Sequence, residues 1–312
     1  MSDYLKASEV NSFLFPSNFK QIWHHPFNRQ GLRVDYVYIK NMTGEHGLKT
    51  FDEQIATLKF LYKHKCATFK QIKMYLELKG LDPSKTGKIL QDFVFNRACN
   101  CFTLGNNLLE EFPDDAFRVY TLDFGGKTIL SHFGENDVVE WLSSDTMYSP
   151  DIVSKYLVSN QFFLEILKNK GKDVEYYNPT QLLFVGNHRM KVLGEFSLKK
   201  DGVSKTFLLD VFREGDYPAY VRQRAEMFED FFYGADGKNL HRYYDDPPII
   251  IVISESENLT LDVAKIFYKI CPAFPVRYIT DDFTKEGITD TSFFKFKEDD
   301  NAIQRVQTSF FT

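Results

Sequence analysis

Apolar positions recur at three- and four-residue spacing from Asp52 to about Lys65, where Ile55, Leu58, Leu61 and Tyr62 share one face of an amphipathic helix. Thr68 stands where it can cap a second helix, which carries Ile72, Tyr75, Leu76 and Leu78 and stops near Gly80. Asp82-Pro83-Ser84 reads as a turn and a helix start, and the third helix turns Ile89, Leu90, Phe93 and Val94 inward. Cys101 to Leu104 and Arg118 to Leu122 then read as two strands of a hairpin with a long tip. A further helix is expected after Gly125-Gly126, with Ile129, Leu130 and Phe133 apolar. Helix, helix, helix, strand, strand is the order of a winged helix, and the turn between the second and third helices is as short as helix-turn-helix geometry requires.

The pattern changes in the second half. A helix from Glu135 to Leu142 and the turn-like Ser143-Ser144-Asp145 and Ser149-Pro150 mark a junction. A helix from Ile152 to about Lys170 follows, with Tyr156, Leu157, Phe163, Ile166 and Leu167 as its stripe. Strands are expected at Gln181 to Val185, Val192 to Leu198 and Thr206 to Phe212, the last two joined by the turn Lys199-Lys200-Asp201-Gly202. Next come a helix from about Tyr220 to Tyr233, a buried-type strand Ile249 to Ile253, a helix around Leu261 to Ile270, a strand Val276 to Ile279 and a polar tail. Strands interleaved with helices make this half a mixed α/β domain. The expected organisation is an extension over 1–50, a winged helix over 51–134, a linker over 135–150 and an α/β domain over 151–312. In the extension, Asp35 to Lys40 alternates like a short strand, and Thr43 to Gly47 reads as a loop. His24-His25 are sequence neighbours, which rarely face one ion.

Composition narrows the function classes. The chain has 312 residues, 43% hydrophobic and 26% charged, the balance of an ordinary globular protein. A net charge of -5 argues against a protein that coats nucleic acid over its whole surface, and leaves room for a local basic face. Cys66, Cys99, Cys101 and Cys271 form no paired zinc knuckles, so free buried thiols in a reducing compartment are the simpler reading. The N-terminus lacks the apolar run of a signal peptide, and no stretch has the length of a membrane span, so a cytoplasmic location is expected. No Walker A sequence, dinucleotide glycine fingerprint or Gly-x-Ser-x-Gly elbow occurs.

Charge is not evenly spread. Between Asp52 and Leu104 nine basic residues face five acids, a local excess in an acidic chain. Phosphate neutralisation dominates DNA affinity, so this reversal is what duplex binding needs. Lys85, Thr86, Lys88 and Gln91 are placed on the third helix away from its apolar side, where a winged helix meets the major groove. Lys70, Lys73 and Arg97 complete the candidate DNA contacts, and Gly87 allows close backbone approach. The hairpin tip carries Glu110, Glu111, Asp114 and Asp115, which would repel phosphate. Two readings of the lysines stay open: a DNA-binding face, or a solvated face on a protein-docking or dimerisation module.

In the second half, Glu195 and Asp210 fall on adjoining strands, and such a carboxylate pair can hold a divalent metal for phosphodiester hydrolysis. Nucleases built this way want a lysine two residues beyond the second acid, where this chain has Phe212; Arg213 is one step on and points to the other face. A non-catalytic domain is therefore expected, with no cofactor, and with a divalent metal only on the nuclease reading. Arg222 and Arg224 are expected to pair with Glu226, Glu229 and Asp230, and Phe228, Phe231 and Phe232 to enter the core.

Four stretches resemble the replication-relaxation family of plasmid and conjugative-element proteins: Ile55 to His64 with Thr68-Phe69-Lys70-Gln71-Ile72; Arg118 to Leu122 with Gly125-Gly126; Tyr156 to Asn160; and Gly194-Glu195-Phe196 with Phe207 to Arg213. The resemblance spans about residues 52 to 285. It implies a winged helix joined to a degenerate restriction-endonuclease-like, PD-(D/E)xK-type fold that serves plasmid replication or relaxation. Partners would be double-stranded DNA, a replication or relaxation protein, and a second copy in a homodimer. The family's usual Pro-Asp pair and Glu-x-Asp-Arg are altered at each acid, since Glu195, Asp210 and Phe212 stand there and only Arg213 is kept. Three functions follow from these readings: a DNA-binding accessory protein, a metal-dependent nuclease using Glu195 and Asp210, and a dimeric transcriptional regulator whose second domain senses a ligand.

Overall fold

The computed structural model describes residues 12–14, 51–106, 116–135, 138, 141–142, 149–185, 188–216, 218–233, 244 and 246–311. His24-His25, the strand expected at Asp35 to Lys40, the loop at Thr43 to Gly47 and the four acids of the hairpin tip lie outside the described residues. The chain divides into two compact units, Met1–Asn160 and Gln161–Thr312.

The first unit is built from β1 (Ser12–Leu14), α1 (Phe51–His64), β2 (Cys66–Thr68), α2 (Phe69–Leu78), α3 (Thr86–Phe95), β3 (Cys99–Gly105), β4 (Val119–Leu122) and α4 (Phe124–His132). Its antiparallel sheet has the order β1-β3-β4-β2. The three expected helices and the hairpin are present. The added strand β2 pairs with β4, from Cys66↔Thr121 to Thr68↔Val119, and completes the winged-helix sheet. Three residues are too few to show alternation, which is why the sequence pattern missed it. Thr68 ends that strand and starts α2 with a full capping box: its hydroxyl accepts from Gln71 N, and Gln71 Oε1 accepts from Thr68 N at 3.0 Å. Leu58, Leu61, Ile72, Leu76, Ile89, Leu90 and Phe93 form the core.

Helix α4 begins at Phe124, capped by the Asp123 carboxylate, so Gly125 and Gly126 lie inside its first turn and not before it. Packing decides this. A Cβ on Gly125 would stand 2.5 Å from Arg97 O, and one on Gly126 2.3 Å from Ala98 O. The helix expected from Glu135 to Leu142 falls partly outside the described residues. Those described make tight turns, Val138 N donating to Glu135 O and Trp141 N to Val138 O.

α5 (Pro150–Lys170) runs from the first unit into the second. The second unit continues with β5 (Val174–Pro179), the hairpin β6 (Leu182–Val185) and β7 (His188–Lys191), β8 (Gly194–Lys200), β9 (Val203–Phe212), α6 (Pro218–Tyr233), β10 (Ile249–Ser254), α7 (Glu257–Ile270), β11 (Val276–Thr280), α8 (Phe283–Glu286), β12 (Phe293–Lys297) and β13 (Ala302–Val306). Seven strands form one mixed sheet, β13-β12-β11-β10-β9-β8-β5. β9, β10 and β11 run parallel, and β10 is buried between its neighbours, as its unbroken Ile-Ile-Ile-Val-Ile run requires. Leu208, Phe212, Ile250 and Val252 on one face pack with Phe228 and Phe232 of α6 and Val263 and Phe267 of α7. The tail expected to be polar holds the hairpin β12–β13, whose Phe293, Phe294 and Phe296 are buried. The fold class is mixed α/β.

Candidate functional site

The outer faces of α2 and α3 carry the candidate DNA contacts, and the structure sorts them. Lys70, Lys73, Lys88 and Gln91 are exposed. Thr86 is not: it is 1% exposed and its hydroxyl donates to Pro83 O at 2.8 Å. Position 86 is three and four residues before Ile89 and Leu90, so it shares their inner face, a spacing readable in the sequence. Lys85 sits in a 3-10 turn, Pro83–Lys85, ahead of α3, and its ammonium lies 3.6 Å from Glu53 and 3.4 Å from Asp82. Its charge is engaged inside the protein. Arg97 adopts the left-handed conformation (φ 61°) just past α3, and its Nε and Nη2 are buried without a hydrogen-bond partner. Burial lowers its guanidinium pKa, and Asp123 opposes this.

Arg118 was read in the sequence only as part of a strand. It lies beside a cleft of about 330 Å³ between α3 and the wing strands, with Gly87 and Gln91 on the helix side and Cys101 and Tyr120 on the strand side. Gly87 is exposed there, and a Cβ on it would meet only Phe69 Cε2, at an ordinary 3.8 Å. Nothing inside the fold calls for glycine at this position.

Glu195 and Asp210 do share a face of the sheet. Glu195 is the cross-strand partner of Leu208, two residues before Asp210, which makes the acids diagonal neighbours on one face, about 7–8 Å apart at the backbone. Their surroundings differ from those of a metal site. Asp210 is 2% exposed; its Oδ2 takes Nε and Nη2 of Arg224, each at 2.8 Å, and its Oδ1 accepts from Val211 N. Arg224 Nη2 also donates to Lys191 O at 2.9 Å. Burial pulls the Arg224 guanidinium down, but Asp210, by charge and hydrogen bond, and Tyr220 together keep its pKa above the usual value. Arg224 therefore crosses to the sheet, where surface pairing with Glu226, Glu229 and Asp230 was expected. The Glu195 carboxyl is raised by burial, against the hydrogen bonds of Tyr176 and Tyr244; the Tyr176 hydroxyl donates at 3.0 Å. Phe212, at the position that wants lysine, is fully buried. Among the described residues no group of three or more His, Cys, Asp or Glu is placed to hold a metal ion.

Arg213 is also buried, at 1% exposure. Its Nε lies 2.8 Å from Glu255, and its Nη1 donates to both oxygens of Asp281, at 2.8 and 3.0 Å. These residues follow the last positions of β9, β10 and β11, so the cluster ties three parallel strand ends together. All four cysteines are free and buried. Among the described residues no helix is long and apolar enough to cross a membrane.

No family model matches the chain, and no curated protein matches it. Among solved structures it is similar to restriction endonuclease FokI, at 10% identity over 75% of this chain and 44% of that one, with a TM-score of 0.27. The chain thus spans under half the length of that protein.

Proposed function

We propose that the chain is a duplex-DNA-binding accessory protein, of the kind that serves plasmid or mobile-element replication or relaxation, with a non-catalytic second domain. The observation that carries this reading is the set of exposed side chains on the two outer helices of the winged helix: Lys70 and Lys73 on α2, Lys88 and Gln91 on α3. α3 takes the groove position, with Gln91 within reach of base edges and Lys88 beside phosphates. Arg118, at the start of the returning wing strand, extends the basic edge. The non-catalytic part rests on Asp210, whose Oδ2 is held by the Arg224 guanidinium and whose Oδ1 accepts from Val211 N.

The test is a titration of fluorescent duplex with the full chain at two salt concentrations. Affinity should fall steeply with salt through counterion release, and Lys88→Glu should weaken it at least ~10-fold, whereas Lys85→Glu should change it far less because that ammonium is internally paired. Absence of binding at low salt would overturn the reading and leave the face as a protein-docking surface.

A further inference from the structure

Two exposed positions of the winged helix are unexplained by its packing, and they adjoin. Phe69 opens α2, three and seven residues before the buried Ile72 and Leu76, so helical spacing sets it on the inward face. It is nevertheless 38% exposed, because this stripe runs past the edge of the core at the first turn. Gly87 stands in the first turn of α3, where glycine costs helix stability relative to alanine and where no close approach within the fold requires it. The atom nearest to the Cβ that Gly87 lacks is Cε2 of Phe69, at 3.8 Å. The first turns of α2 and α3 therefore meet at an open aromatic edge, and a side chain longer than alanine at position 87 would begin to cover that ring. An exposed ring beside a glycine inside a helix breaks two local rules at one place, which points to a surface shaped for a partner.

The neighbourhood says which partner chemistry fits. Gln91 is four residues beyond Gly87 on the same exposed face, and a glutamine amide matches the N6 and N7 edge of adenine. Lys70 and Lys88, each next in sequence to one of the adjoining residues, are exposed. Neither first turn carries an acid, and Asp82 ahead of α3 is engaged by Ser84 and Lys85. A polyanion can approach this junction. The Phe69 ring offers no hydrogen bond, so phosphates and polar base edges match it poorly. The major groove of B-DNA presents one apolar group, the C5 methyl of thymine. Thymine is also the complement of the adenine that Gln91 suits, so ring and amide are matched to the same kind of base pair.

We propose that Phe69 is a specificity-determining residue that covers a thymine methyl group in the major groove, at or next to an A·T pair whose adenine faces Gln91. The absence of a side chain at Gly87 leaves the ring open for it. This inference rests on the DNA-binding reading and adds a base preference to it.

The test starts from duplexes that the full chain selects out of a random-sequence pool. Each thymine is replaced in turn by deoxyuridine, which removes the methyl group and keeps every hydrogen bond. At one or two positions the replacement should weaken binding about 4-fold, the value of one buried methyl group. Phe69→Ala should weaken binding to the thymine duplex by about the same factor, bind the thymine and deoxyuridine duplexes equally, and keep the salt dependence, since the ring neutralises no phosphate. Phe69→Leu should restore part of the preference. Phe95→Ala, which removes an exposed ring at the far end of α3, should leave the preference intact. A salt-dependent affinity that ignores every thymine methyl overturns the proposal and leaves the DNA-binding reading standing. So does a Phe69→Ala chain that loses affinity while it keeps the full thymine preference. Binding of no duplex at low salt overturns the DNA-binding reading, and this proposal falls with it.

Discussion

Asn160 is the polar centre of the first unit. Its amide donates to the carbonyls of His64 and Cys66, at 3.2 and 2.6 Å, and its oxygen accepts from the His64 ring at 2.9 Å. His64 is fully enclosed, and desolvation pulls its pKa from 6.5 down to about 3 against the hydrogen bond of Asn160. The unfolded chain takes up a proton near pH 6.5 that the folded chain refuses until about pH 3. Stability is therefore complete above the unfolded pKa and drains away as pH falls between those values, by up to ~5 kcal/mol. Urea unfolding at a series of pH values should show this slope, and His64→Gln should flatten it. Asp210 and Arg224 give the second residue-scale prediction. Arg224→Ala leaves an uncompensated buried carboxylate and should cost about 3–5 kcal/mol. Replacing Asp210 by Asn and Arg224 by Met together should recover part of it, and a double-mutant cycle without coupling would deny the pair. Neither role was readable in the chain, because each depends on a partner distant in sequence.

At the scale of elements, local signals held where one element states its own boundary. The capping box at Thr68 and Gln71 and the inward set on α3 needed no tertiary information. They failed where pairing defines the element, as in β2, β12 and β13. Helix α3 offers a test that separates folding from binding. Gly87→Ala adds a methyl group with only ordinary contact inside the protein, so it should stabilise the chain by roughly 0.5–1 kcal/mol through helix propensity. The same methyl group stands on the exposed face beside Gln91, where close DNA approach would feel it. A raised melting temperature with weakened duplex affinity is the expected pair of results; unchanged affinity would move the DNA off this turn of the helix.

At the scale of the whole molecule, the DNA-binding reading has a quantitative signature. Each phosphate contact contributes about 0.9 to the slope of log affinity against log salt. Converting Lys70, Lys73 and Lys88 to Gln should lower the magnitude of that slope by roughly 2–3, uniformly across duplex sequences. Supercoiled plasmid incubated with magnesium or manganese should stay unnicked; nicking that disappears in Asp210→Asn would restore the nuclease reading.

The sequence alone determined what short-range chemistry decides. Helical spacing, a threonine cap, an unbroken β-branched run and a local excess of lysine each act within a few residues, so they could be read as written. That covered most of both units' elements and the exposed Lys70, Lys73, Lys88 and Gln91. Only the tertiary structure decided which charges face outward. Lys85 looks like its neighbours until Glu53, 32 positions earlier, comes within 3.6 Å. Asp210 looks like a metal ligand until α6 delivers Arg224. The cleft at the wing base exists only after strands pair. Burial and pairing are properties of the folded neighbourhood, and residue type and spacing do not contain them.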